Sequence, residues 1–268
     1  MEETSVTLNL DAHGIATLTL NRPEVGNAYD EVLLRRFRDL LEEAAGRPEL
    51  RALVVRGAGR HFQCGADLRW MAEVAGQSPE RGRMASEASV DAFRRLNEFP
   101  APTLALVQGA CFGGGCGLLC CVDIALAVPE AVFGLTEVRV GVAPTPISTH
   151  LVHALGLRQA RRYALTGERF DAATALRIGL VHEIVPAPEI EDRLGALLSE
   201  VLAAAPRAVA VTKHSLLRAN RLLLTDKDAS ALADESRLQR ASEEGREGLL
   251  AFREKRRPSW QPGNSGEG

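Results

Sequence analysis

The sequence predicts an α/β fold, and three observations carry that prediction. Two short apolar runs, Ala52-Leu53-Val54-Val55 and Leu104-Ala105-Leu106-Val107, have the length and continuity of buried strands. Longer segments repeat their apolar residues at the helical period, as Leu33, Leu34, Phe37, Leu40, Leu41 and Ala44 do. Each strand run is also followed by a glycine-bearing segment. The first is Phe62-Gln63-Cys64-Gly65-Ala66-Asp67-Leu68, and the second is Gly109-Ala110-Cys111-Phe112-Gly113-Gly114-Gly115-Cys116-Gly117-Leu118. Glycine at the C-terminal end of a buried strand lets a backbone N–H approach a ligand with no Cβ in the way. Two such loops can aim two N–H groups at one oxygen, the geometry of an oxyanion hole. Glycine triplets also serve tight turns and close packing. Gly113-Gly114-Gly115 has the spacing of neither a dinucleotide fingerprint nor a phosphate loop.

The elements follow in order. Val6–Leu10 and Ile15–Leu20 flank Asp11-Ala12-His13-Gly14 and read as a strand hairpin. Asp30 caps the helix carrying Leu33 to Ala44, and Gly46 fits its stop. Residues 77–83 are polar and read as a loop, with helix resuming at about 86–97. Gly114–Cys121 should begin a helix whose free N–H groups and dipole face the second loop. Thr145-Pro146 reads as a cap followed by a first-turn proline. From about Arg158 the chain reads as helical almost throughout, with one stripe formed by Ile190, Leu194, Leu197, Leu198 and Val201. Later helices are expected at 209–217, 228–241 and 248–255, and a disordered tail at 261–268.

Composition narrows the function classes. The chain has 268 residues and a formal net charge of −3, which suits one large domain and favours no nucleic-acid partner. An apolar stretch runs from Leu104 to Val128, but Gln108, its glycines and Asp123 argue against a membrane span. No secretory signal is read at the start, so a cytoplasmic location is expected. The five cysteines, Cys64, Cys111, Cys116, Cys120 and Cys121, fit no zinc spacing, and their odd number fits no disulfide framework. They read as small buried thiols. His150 and His153 stand three apart with no third ligand nearby, and read as the polar flank of a helix rather than a metal site. His61 reads equally as a ligand contact or an exposed turn residue.

Order along the chain adds a resemblance. The motifs are Ile15-Ala16-Thr17-Leu18-Thr19-Leu20-Asn21-Arg22-Pro23 with Asn27-Ala28, then Cys64-Gly65-Ala66-Asp67-Leu68, then Phe112 to Gly117 and Cys121-Val122-Asp123-Ile124. Phe133-Gly134-Leu135-Thr136-Glu137, Leu165-Thr166-Gly167-Glu168-Arg169-Phe170-Asp171-Ala172 and Ala251-Phe252-Arg253-Glu254-Lys255-Arg256 complete the series. Each is weak alone. Together and in this order they resemble the crotonase superfamily, the enoyl-CoA hydratase/isomerase family, over nearly the whole chain. Trp70 and Met71 look like the branch that hydrates methylglutaconyl-CoA and isohexenylglutaconyl-CoA.

The resemblance implies a crotonase-like spiral of ββα turns over residues 1–200, and a helical C-terminal region at 201–260. That region packs onto the spiral or onto a neighbour and supports trimers or dimers of trimers. It implies an acyl-CoA substrate and no separate cofactor, since coenzyme A is part of the substrate. By match of motifs, the N–H groups of Ala66 and Gly114 hold the thioester oxygen and Glu137 is the acid/base, its carboxyl pKa raised by Phe133, Leu135 and Val138. Val25, Cys64, Asp67, Leu68, Arg69 and Lys255 are the implied substrate contacts. Arg22, Arg69, Lys255, Arg256 and Arg257 are candidates for the CoA phosphates. The family's two-glutamate hydratases carry a second carboxylate where this chain has Gly117, and the stretch after the acid is altered to Val142-Ala143-Pro144-Thr145-Pro146-Ile147-Ser148. Three readings stand in order: a hydratase of a glutaconyl-type 2-enoyl-CoA, a single-glutamate Δ3,Δ2-enoyl-CoA isomerase, and an inactive CoA- or RNA-binding relative.

Overall fold

Strands from successive stretches of chain build two sheets in the computed structural model, which describes residues 4–260. The expected disordered tail lies outside the described residues. The larger sheet has the order β1-β2-β3-β4-β6-β9 and the smaller one β5-β7-β8. β1 (Val6–Leu10) and β2 (Ile15–Leu20) form the expected antiparallel hairpin, with Val6 opposite Leu20. Asp11 Oδ1 closes its turn by accepting from the N–H groups of His13 and Ile15. β3 (Ala52–Gly57), β4 (Thr103–Val107), β6 (Ile124–Ala127) and β9 (Glu183–Ile184) continue the sheet in parallel. Every residue of β4 is buried, as its unbroken apolar run requires.

The chain winds in ββα turns. After β4 it crosses to β5 (Ala110–Phe112) in the small sheet, then enters helix α4 (Gly114–Cys121) and returns to β6. It crosses again to β7 (Val132–Gly134), which pairs parallel with β5 and antiparallel with β8 (Arg169–Asp171). The long apolar run is thus strand, strand, helix and strand. Among the described residues no single helix is long and apolar enough to cross a membrane.

Helix α1 (Glu31–Ala45) starts where Asp30 accepts from Leu33 N, and it buries the six predicted apolar residues. The polar segment at 77–83 is not a loop. It is the first turn of α3 (Pro79–Asn97), capped by Ser78 and opened by Pro79. This helix buries small residues, Gly82, Ala85, Ser86 and Ser89, against α9 (Asp226–Arg240). A contact made through small residues leaves no bulky apolar stripe in the sequence.

Thr145 is not a side-chain cap either. Thr145–Ile147 is a 3-10 turn, and α5 (Ser148–Thr166) begins after it. From Arg158 onward the chain is less helical than expected, because β8 and β9 interrupt it, with α6 (Ala172–Arg177) between them. Its helices α7 (Ile190–Ala203), α8 (Pro206–Ala219), α9 and α10 (Glu243–Arg253) otherwise follow the apolar periods. α9 lies along α3 and α10 along α2 (Leu68–Ala75) of the same chain. Arg94 pairs with Asp226 at 2.8 Å, and Gln239 donates to Gly141 O while accepting from Ala143 N. These bonds tie the C-terminal region to α3 and to the turn after Glu137.

Candidate active site

The first glycine loop is held by two buried amides. Asn27, fully buried at φ 57°, donates to the carbonyls of Ala58, His61 and Phe62 and accepts from Arg22 N. Gln63, 1% exposed, spans the loop: its Nε2 donates to Gly65 O and its Oε1 accepts from Gly65 N, each at 2.8 Å. Tyr29 N donates to Gly65 O, and Asp67 N donates to Tyr29 O, so the N–H of Ala66 between them is turned away from that ladder. Phe112 N donates to Gln63 O and joins this loop to the second one.

The second loop turns at Gly113, whose φ of 52° and ψ of −120° favour glycine. Gly114 then opens α4 as its first residue, where an N–H has no partner inside the helix. Among the described residues, neither Gly114 N nor Ala66 N donates to a carbonyl. The loops touch: a Cβ built on Gly65 would stand 3.8 Å from Gly114 N. Two free N–H groups on adjoining loops, one backed by the helix dipole, suit an oxygen that gains negative charge.

Glu137 follows β7, whose Phe133 is buried together with Leu135 beyond it, and begins a 3-10 turn, Glu137–Val140. The residue is half-buried, but its Oε2 is shut off from solvent and has no hydrogen-bond partner. Burial therefore pushes the carboxyl pKa up, to about 7, against the smaller opposing effect of a backbone N–H bond. A carboxyl poised near neutrality and facing two free N–H groups can accept and return a proton.

These groups line one cavity of about 110 Å³. Glu137, Ala66, Gly114, Cys64 and Leu68 line it. The other expected contacts lie outside it. Asp67 caps α2 through Arg69 N and pairs with Arg22 at 3.2 Å. Arg22 also pairs with Asp30 and donates to Ala28 O, so it is spent inside the fold rather than offered to a phosphate. Val25, Arg69 and Lys255 are exposed, and Arg256 is paired with Glu247 and Glu254.

The histidines differ from expectation. His150 is not on a polar flank: it is 1% exposed, both ring nitrogens lack partners, and burial lowers its pKa to about 4. His153 is exposed. No group of three or more His, Cys, Asp or Glu able to hold a metal occurs among the described residues. His61 is structural, its Nδ1 accepting from Ala110 N at 3.0 Å.

Tyr29, Trp70, Ser236 and Arg240 are among the cavity residues not foreseen as site residues. Tyr29 and Trp70 meet edge to face at 6.2 Å, and Trp70 Nε1 is buried without a partner. Burial raises the Tyr29 phenol pKa first and the nearby Glu137 carboxylate second, while Arg240 and Ser89 oppose them. Ser236 and Arg240 come from α9, more than a hundred residues from either glycine loop. Their one available signal is the i, i+4 spacing on a helix that ends in a polar stretch.

The position of the absent second carboxylate is physically closed. A Cβ on Gly117 would stand 2.4 Å from Ile147 Cγ2. Ile147, in the altered stretch after Glu137, fills that space.

Comparison with known proteins agrees with this geometry. The family model described as enoyl-CoA hydratase/isomerase matches residues 11–263. A hydroxycinnamoyl-CoA hydratase-lyase of Pseudomonas fluorescens is 34% identical and covers 89% of this chain and 88% of its own. A 2,3-dehydroadipyl-CoA hydratase of Escherichia coli is 31% identical over 92% of this chain and 95% of its own. The crystal structure of an enoyl-CoA hydratase from Mycobacterium avium superposes with a TM-score of 0.83 at 36% identity, covering 96% of this chain and 99% of that one. The fold, the paired glycine loops and these similarities together place the chain in the enoyl-CoA hydratase/isomerase family.

Proposed function

We propose that the protein, an enoyl-CoA hydratase, adds water to a 2-enoyl-CoA whose acyl group is a 3-branched glutaconyl type, such as methylglutaconyl- or isohexenylglutaconyl-CoA. The observation that carries the hydratase reading is the unpartnered, buried Oε2 of Glu137 in the same cavity as the two free loop amides. The thioester oxygen accepts from Ala66 N–H and Gly114 N–H. Water attacks C3 while the Glu137 carboxylate takes one of its protons. The π electrons move toward the thioester oxygen, where the two donors stabilise the enolate by roughly 3 kcal/mol each. Glu137 then returns the proton to C2, so one water is added and the carboxylate is restored. One carboxylate serves both steps, because Ile147 occupies the place of a second.

The glutaconyl reading is supported by Trp70 and Met71, which both line the cavity. Relatives are named for hydroxycinnamoyl and 2,3-dehydroadipyl thioesters, so family membership leaves the acyl group open. The lone carboxylate favours a second reading, a Δ3,Δ2-enoyl-CoA isomerase in which Glu137 carries a proton between C2 and C4. Absorbance at the enoyl-thioester band across a panel of 2-enoyl- and 3-enoyl-CoAs decides. Hydration removes the band and isomerisation creates it, while silence throughout excludes both. We also infer a cytoplasmic protein that assembles as trimers or dimers of trimers. Val211 and Leu216, apolar and exposed on α8, support such a contact.

A further inference from the structure

Arg240 is 5% exposed and lines the cavity, yet no carboxylate among the described residues pairs with it. Other enclosed cations do have counter-ions: Lys213 meets Asp123 at 2.7 Å, and Arg22 meets Asp30 and Asp67. A buried charge without a partner is costly, and a ligand that supplies the opposite charge would offset that cost. Arg240 Nη2 donates to Gly82 O and Ser86 Oγ, both at 2.8 Å. A guanidinium has five N–H groups, and those on Nη1 and Nε have no acceptor among the described residues. Those two bonds fix the guanidinium on α3 and pre-orient it.

The surroundings share its polarity. Trp70 Nε1 is a buried donor without an acceptor among the described residues, and Tyr29 and Ser236 bring hydroxyls to the same wall. Apart from Glu137, no carboxylate among the described residues lines the cavity. Tyr29 lies beside the second glycine loop and within electrostatic reach of both charges. Its ring lies 2.5 Å from a Cβ built on Gly114, and its phenol feels both Glu137 and Arg240. The charged groups of the cavity lining are therefore a base, Glu137, and a cation, Arg240, both felt by Tyr29.

We propose that Arg240 is a specificity-determining residue that holds a carboxylate borne by the acyl group at the end away from the thioester. The inference rests on reading this cavity as an acyl-CoA site, and it names the chemistry that selects among acyl groups. A neutral acyl chain of the same length leaves the guanidinium desolvated and unpaired. A dicarboxylic one forms charge-assisted hydrogen bonds with a fork already in place.

The test is binding, kept apart from turnover. Glutaryl-CoA and pentanoyl-CoA have acyl chains of equal length, and both are saturated, so neither is hydrated. Titration calorimetry on the full chain should show glutaryl-CoA binding at least about 30-fold more tightly, the scale of a buried hydrogen-bonded charge pair. Arg240→Met should reduce that ratio to within about threefold, and Arg240→Lys should leave an intermediate ratio, since a point charge lacks the fork. Circular dichroism checks that each variant is folded. Near-equal affinities in the unmodified protein would overturn the proposal even if neither variant folds. So would a folded Arg240→Met protein that keeps the full ratio. An arginine that only anchors α9 to α3 predicts equal weakening of both esters, which would also overturn it. Binding of neither ester would overturn the acyl-CoA site itself, an outcome distinct from binding both alike.

Discussion

Oε1 of Glu137 lies 3.1 Å from where a Cβ at position 113 would stand. The carboxylate of the proposed acid/base thus rests against the turn that presents Gly114 N–H, and glycine at 113 permits both the turn and the contact. Gly113→Ala should lower kcat by at least tenfold while leaving the melting temperature within a few degrees. The new methyl forces either Glu137 or the left-handed turn to shift. Unchanged kcat in a folded variant would separate the loop from catalysis.

Glu137→Gln retains the shape and removes the proton carrier. Turnover should fall by at least about 100-fold, the usual scale for losing general acid–base catalysis, with the affinity for a saturated acyl-CoA nearly unchanged. A loss below tenfold in steady-state rate excludes the role.

The raised Glu137 pKa predicts two pH dependences. As a base it must be ionised, so kcat/KM should fall tenfold per pH unit below about 7, in a single acidic limb that vanishes in Glu137→Gln. Stability runs the other way. The folded state holds this proton more tightly than the unfolded chain does, with a pKa of about 7 against an ordinary 4.5. The contribution is complete below pH 4.5 and is lost as pH rises through 7, up to about 3 kcal/mol. Denaturant titrations at pH 5 and pH 8 should show Glu137→Gln gaining stability relative to the parent at the higher pH.

His150 acts with the opposite sign. Its pKa falls from an ordinary 6.5 to about 4, so its contribution is complete above pH 6.5 and is lost as pH falls through 4. With both ring nitrogens unpartnered, His150→Leu should remove this acid sensitivity. A melting profile of the variant between pH 7 and pH 4.5 that parallels the parent's would refute the assignment.

Restoring a second carboxylate should not create a two-glutamate site. Gly117→Glu drives its Cβ into Ile147, and overpacking a filled core costs about 1–3 kcal/mol. The single variant should melt earlier and turn over more slowly. Gly117→Glu combined with Ile147→Ala should recover the stability. Equal melting of the single variant and the parent would show that Ile147 yields easily.

Much of this was readable in the chain. Apolar runs as continuous as Leu104 to Val107 have to be buried on both faces, so they announced the strands. The period of Leu33 to Ala44 announced α1, because a helix must bury one face. The two glycine loops stood out because a backbone that must approach a neighbour closely leaves out side chains, and Glu137 stood out through its place in the order of motifs. The start of α3 was hidden, since helices that meet through Gly82, Ala85, Ser86 and Ser89 show no apolar stripe. His150 was misplaced because spacing gives no depth. Tertiary structure alone decided that Ile147 fills the space beside Gly117, and that Arg240 of α9 reaches the cavity of loops formed more than a hundred residues earlier. Local sequence dictates what a segment must bury and which backbone it can adopt. Which distant side chain completes a pocket depends on how the segments pack, and that is settled only when they meet.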